Sequence, residues 1–229
     1  MARRQPRSPP PGQRAAGGRA AAGGDREGTV ARRPSADHGR ADGAAAAITG
    51  ATVLSAQLEL SARSALAAAE IASDAGVLGV LNPAPCDAPP HELAGRYDIV
   101  VPNEIETEQL TGLACDGDQA VKAARRVCDQ WARGGAVVTL GARGAIVVDR
   151  SRGDEQVEWL PAYPVKVLDT VGAGDAFCGA LAARLAAGDP LVEAARHANA
   201  AGALATTKRG AAPSMPRHED IPALRDSDR

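Results

Sequence analysis

Between Ala2 and Ala47 the only large aliphatic side chain is Val30, so no hydrophobic period can be read there. From Ile48 the chain alternates between short apolar runs and longer periodic stretches. Thr52 to Leu58 reads as a buried strand, and Ala62 to Ala75, with Leu66 and Ile71 among alanines, as a helix closed by Gly76. A second strand is expected over Val77 to Leu81, then a loop at Asn82-Pro83-Ala84-Pro85. Tyr97 to Val101 makes a third strand ended by Pro102, and Glu104 to Leu110 a short helix stopped by Thr111-Gly112. Asp118 is expected to cap a helix reaching Arg133. Ala136 to Leu140 and Ala145 to Val148 predict two strands around the turn Gly141 to Gly144, with an edge strand at Val157 to Leu160 and another strand at Val165 to Leu168. Helices over Ala173 to Ala187 and Leu191 to Thr207 follow. Strands alternating with helices predict an α/β fold: a three-layer, doubly wound, mostly parallel sheet, which takes ligands outside the carboxyl ends of its strands.

Composition divides the chain in two. Residues 1–47 hold 13 Ala, 9 Arg, 8 Gly and 5 Pro, too little apolar surface to offset ordering entropy, and are expected to be disordered. Their 9 Arg against 4 acids give +5, leaving 17 basic against 24 acidic residues, or -7, for residues 48–229. The basic segment lacks aromatic residues for stacking and any amphipathic period, which argues against a nucleic-acid or membrane arm. No apolar run reaches the length of about 18 residues that a membrane span needs, and no apolar core follows the first arginines as in a secretory signal. A cytoplasmic protein is the expectation. Cys86, Cys115, Cys128 and Cys178 are widely spaced, with no metal or disulfide pattern, and read as buried free thiols.

Several chemistries drop out on motif grounds. There is no Gly-Lys dipeptide for a Walker A loop, no G-x-G-x-x-G after the first strand and no H-E-x-x-H, while His38, His91, His197 and His218 are scattered. What remains is Asp169-Thr170-Val171-Gly172-Ala173-Gly174-Asp175-Ala176-Phe177, which opens a predicted helix. Its backbone N–H groups, flanked by glycines, suit an anion, and Asp175 beside them can take a hydroxyl proton, although an acid there can also be a plain helix cap.

That segment resembles a signature of the ribokinase family of sugar kinases, the PfkB carbohydrate kinases. Leu81-Asn82-Pro83-Ala84-Pro85, Pro102-Asn103-Glu104-Ile105-Glu106-Thr107-Glu108 with Leu110-Thr111-Gly112, Thr139-Leu140-Gly141-Ala142-Arg143-Gly144 and Lys208-Arg209-Gly210-Ala211-Ala212-Pro213-Ser214-Met215-Pro216 resemble further family motifs, in the family's order. The resemblance runs from residue 48 to 222, with 223–229 as a tail. It implies ATP-dependent phosphorylation of a sugar hydroxyl, D-ribose to D-ribose 5-phosphate first among the options, with another sugar or nucleoside kinase, or a truncated nucleotide-binding protein without catalysis, as the alternatives.

By resemblance, Asp175 is the catalytic base and also touches the sugar, and Gly172, Ala173 and Gly174 form an anion hole for the γ-phosphate. Asn103 and Glu106 match the motif serving the phosphates and Mg2+, with Glu106 on the metal; a solvated acidic helix is the alternative. Thr139, Gly141 and Gly144 match the nucleotide turn, otherwise an ordinary hairpin. Asn199 falls near the adenine, where the family often carries His. A K+ site is implied at Asp169, Val171, Ala205, Lys208, Gly210 and Ser214, with turn capping as the other reading of Asp169. Glu59 matches a sugar-contacting acid, or is a solvated strand-end residue. The family's early Asn-x-Asp and Gly-Gly-Lys-Gly-x-Asn sugar motifs have no counterpart in residues 1–47, nor has the lid through which the family dimerises. Residues 1–47 are accordingly expected to be a frameshifted, misassigned or deleted remnant, and the strand at Thr52 to have an open edge.

Overall fold

The computed structural model describes residues 36–86, 90–221 and 224, with side chains from Gly43 onward. Six strands form one sheet: β1 (Val53–Gln57), β2 (Leu78–Asn82), β3 (Tyr97–Val100), β4 (Ala132–Thr139), β5 (Ala145–Asp149) and β6 (Gln156–Leu160). They lie in sequence order; β1 to β4 are parallel and β5 and β6 antiparallel, so β1 and β6 are the terminal strands of the described sheet. Near-continuous apolar sequence in β2 (Leu-Gly-Val-Leu-Asn) and β5 (Ala-Ile-Val-Val-Asp) fits strands covered on both faces.

One face carries α2 (Ala62–Asp74) and α4 (Gln119–Trp131), whose Ala65, Ala69, Ala120, Ala123, Ala124, Val127 and Trp131 pack with Leu81, Val100, Ala136, Val138 and Ile146. The opposite face carries α5 (Ala173–Ala186) and α6 (Leu191–Ala205), packed on Val80, Ile99, Val137 and Val147. The three-layer α/β architecture read from the sequence is present. A further helix, α1 (Ala36–Thr49), precedes β1, and α3 (Glu104–Thr111) lies between β3 and α4. Residues 36–47 are thus helical where their composition predicted disorder, since alanine is the best helix former even where it has little to bury. The rest of that expectation, residues 1–35, lies outside the described residues, as does most of the tail.

Two local expectations fail. Val165 to Leu168 is not a strand: Leu168 and Asp169 donate their N–H groups to Thr206 O just beyond α6, at 2.8 and 3.2 Å, and Val167 and Leu168 stay exposed. Asp118 makes no side-chain cap, because its backbone is already helical there (φ -66°, ψ -16°); an N-cap needs the extended conformation.

Three local features position the strand ends. Ser61 Oγ accepts the Ser64 N–H at 3.2 Å and starts α2 just after β1. Asn103 starts α3 directly after β3, and Gly112 (φ 70°) ends it. Gly202 of α6 sits where a Cβ would lie 3.3 Å from Ala173 O, so α6 presses on the first turn of α5. Among the described residues no helix is long and apolar enough to cross a membrane.

Candidate active site

The predicted residues fall at the ends of β1, β3 and β4, on the first turn of α5, in the turn before β5, and in α6 and the segment after it. Gly172 is the N-cap of α5 with φ 80°, and a Cβ on it would lie 3.0 Å from Met215 Cε and 3.1 Å from Ala211 Cα. The turn into the helix therefore needs glycine, a structural reason the sequence did not disclose. Gly174 differs: it has no such constraint, and a Cβ would meet nothing within 4 Å. Ala173 donates to Thr170 O at 3.2 Å, while the N–H groups of Gly174 and Asp175 find no backbone acceptor among the described residues.

Asp175 occupies the third position of α5 but does not cap it. Its Oδ1 accepts instead from Gln57 Nε2 at 3.1 Å, across 118 residues of sequence. Asp175 and Glu59 line one cavity of about 460 Å³ with Gln57, Ser64, Cys178 and Gly179. Sequence reasoning missed Gln57, Cys178 and Gly179; the available signals were the position of Gln57 at a strand end and the placement of Cys178 one helical turn after Asp175. Burial, with the carboxylates of Asp175 and Glu106 adding to it, pushes the Cys178 thiol up to about 12, so this wall of the cavity is a neutral, unreactive thiol.

Asn103 and Glu106 form a reciprocal cap. Asn103 Oδ1 accepts the Glu106 N–H, Glu106 Oε2 accepts the Asn103 N–H, and Asn103 Nδ2 donates to Oε1, each at 2.9 Å. Glu106 is buried, and desolvation raises its pKa against the lowering effect of the Asn103 backbone bond. Its burial rules out the solvated acidic helix; each carboxylate oxygen holds one hydrogen bond and keeps a second lone pair. Thr139 lies alongside: its N–H donates to Pro102 O at 2.9 Å, and it bridges Asn103 across the ends of β3 and β4.

The turn after Thr139 has two dissimilar glycines. Gly141 (φ 54°) is open, whereas a Cβ on Gly144 (φ 89°) would lie 1.9 Å from Leu160 O and 2.7 Å from Pro161 C. Gly144 thus makes room for the chain leaving β6 and does not itself present open backbone. Asn199 joins the same corner, with Nδ2 donating to Pro161 O at 2.7 Å.

The six positions implied for K+ fall on two segments that clasp each other. Asp169 Oδ2 accepts the Gly210 N–H at 2.9 Å and Oδ1 the Val171 N–H at 3.0 Å; Lys208 donates to Ala205 O at 3.4 Å, and buried Ser214 donates to Ala211 O. The turn-capping reading of Asp169 is therefore realised. Carboxylate, hydroxyl and carbonyl oxygens in one clasp are the donor set of a hard monovalent cation. The Gly210 and Val171 N–H groups hold the Asp169 carboxyl below the usual aspartate range. A pKa lower in the folded than the unfolded protein means that the clasp contributes stability above the ordinary aspartate value and loses it as pH falls through the folded-state value. Hydrogen-exchange protection of the Gly210 amide is expected to persist through the ordinary aspartate range near about pH 4 and to fall only at lower pH, and in Asp169→Ala to be low at neutral pH too. Equal protection in wild type and variant would contradict the clasp.

Polar strand ends beside the first turn of a helix define an α/β protein whose site lies on the carboxyl edge of its sheet. The pattern of the pfkB family carbohydrate kinases matches residues 32–218, and the chain belongs to that family. The match begins before Ile48, inside the stretch that composition had set apart. The chain is 37% identical over 176 residues to a ribokinase of Staphylococcus aureus (strain COL), covering 76% of this chain and 57% of that protein. It superposes on Arabidopsis thaliana ribokinase complexed with ribose and ATP with a TM-score of 0.73 and 30% identity, over 80% of this chain and 58% of that one. Phosphofructokinase-2 from Escherichia coli, in complex with potassium, superposes with a TM-score of 0.62 and 25% identity, over 76% and 56% of the two chains. This chain spans a little over half the length of these relatives.

Proposed function

We propose that the chain carries the phosphoryl-transfer machinery of a sugar kinase, moving the γ-phosphate of ATP to a hydroxyl of D-ribose. The observation that carries the reading is Asp175, an acid in the first turn of α5 that leaves its helix uncapped and faces a cavity shared with Glu59. In this reading Asp175 takes the hydroxyl proton as the oxygen attacks phosphorus, and Glu59 holds the sugar. The turn Gly172, Ala173 and Gly174 forms the anion hole, and the free N–H groups of Gly174 and Asp175 receive the charge on the transferring group. Thr139, Gly141, Gly144 and Asn199 flank the nucleotide, and Asn103 faces its phosphates. Mg2+ on ATP neutralises phosphate charge, and Glu106 serves that ion with the lone pairs its cap leaves open. K+ in the clasp of Asp169, Val171, Ala205, Lys208, Gly210 and Ser214 fixes the backbone entering α5. A cytoplasmic setting, where ATP is abundant, suits this activity.

One substitution separates stability from function. Gly174→Ala has open space for its methyl group, so it is expected to stabilise α5 by about 0.5–1 kcal/mol while lowering Mg-ATP affinity about tenfold, because the methyl crowds the phosphate approach. Urea denaturation and calorimetric titration measure both. Higher stability with unchanged ATP affinity would refute the anion hole. The alternative reading is a nucleotide-binding protein without sugar turnover. It predicts ATP binding with no sugar-dependent hydrolysis or transfer.

A further inference from the structure

Side chains alternate across β1. Leu54 and Ala56 pack with the α2 and α4 core and Val53 with the α5 and α6 core, so the two-residue period aims Gln57, in step with Val53 and Ser55, at α5. There its Nε2 donates to Asp175 Oδ1 at 3.1 Å, while Oδ2 has no protein partner among the described residues. An acidic side chain in the first turn of a helix is drawn to the N–H groups of that turn, which carry partial positive charge and lack intrahelical acceptors. Asp175 does not follow that course. Its Oδ1 meets Gln57 of β1 instead.

We infer that Gln57 is a positioning residue for Asp175: its amide holds one carboxylate oxygen and stops the side chain from capping its own helix. This rests on the kinase reading above. Two consequences follow together. The second carboxylate oxygen stays free to take the hydroxyl proton, and the N–H groups of Gly174 and Asp175 stay free for the terminal phosphate. A neutral amide suits the task better than Lys or Arg, since a full positive charge against the carboxylate would weaken it as a base.

The test is Gln57→Met, which keeps length and removes the donor. The expected result is a kcat lower by about tenfold to a hundredfold, the cost of a misplaced reacting group. Affinity for Mg-ATP should fall about fivefold as the carboxylate folds onto the phosphate donors, while Mg-ADP affinity holds, since it has no terminal phosphate to lose. In an Asp175→Ala background, Gln57→Met should change neither nucleotide's affinity. An equal loss for both nucleotides, or the same loss in the Asp175→Ala background, would overturn the inference and leave a merely structural role. The side-chain amide signal of Gln57 in a 1H–15N spectrum reports the contact without turnover: it should move in Asp175→Ala. A static signal in a chain that binds ATP overturns the role of Gln57 and leaves the kinase reading standing. A moving signal in a chain that binds neither nucleotide overturns the kinase reading, and the positioning role of Gln57 with it.

Discussion

Asp175→Asn is expected to lower sugar-dependent ADP formation by about three orders of magnitude, within the range that a positioned general base contributes. Asparagine keeps the shape and can still meet Gln57 through its amide oxygen, so the fold and Mg-ATP affinity should change little. What disappears is the ability to take the proton from the attacking hydroxyl. The expected pattern is a collapse of kcat with KM for ATP nearly constant, the signature of an interaction made in the transition state. Residual activity within tenfold of wild type would remove Asp175 from the chemistry and leave it as a residue at a helix start.

The second large effect concerns stability. Gly144→Ala places a methyl group 1.9 Å from Leu160 O and 2.7 Å from Ala162 N, on a residue with φ 89° and ψ -130°. The atoms in the way are backbone of the segment leaving β6 and cannot rotate aside. A cost above about 3 kcal/mol is expected, combining strained backbone with a steric clash. Gly141→Ala, three residues earlier in the same loop but with φ 54° and open space around it, should cost only about 1–2 kcal/mol. Urea midpoints of the two variants measure the difference. Equal losses would mean that the β6 exit shifts freely and that positive φ alone accounts for both glycines.

Much of the fold was legible because its signals are local. The apolar runs of β2 and β5, the Gly76 and Gly112 stops and the alanine-rich faces of α2 and α6 each report their own conformation within a few residues. Where the strand reading failed, a distant partner decided. Val165 to Leu168 has strand-like composition, yet its N–H groups go to Thr206 beyond α6. Residues 36–47 have little to bury and still form most of α1, which average composition does not register.

The site divides in the same way. Asp175, Glu59 and the glycines of α5 stood out through motif resemblance, and the fold sets Asp175 and Glu59 on one cavity. The motif could not say why each glycine is there: Gly172 and Gly144 answer to packing and φ, and Gly174 alone of the three is open. Nor did it reveal that Glu106 is buried in a reciprocal cap with Asn103, because such a pairing reads the same as a solvated N-x-x-E in sequence. Gln57 was invisible for a plainer reason. A single polar residue at a strand end has no pattern, and its partner lies 118 positions away.

The most direct test of the account is ADP release by the purified chain with Mg-ATP, K+ and D-ribose, against the same mixture without the sugar. The expected result is release that requires ribose and yields ribose phosphate. A folded chain that binds Mg-ATP and releases no ADP with ribose would contradict it, and would favour a nucleotide-binding protein without sugar turnover.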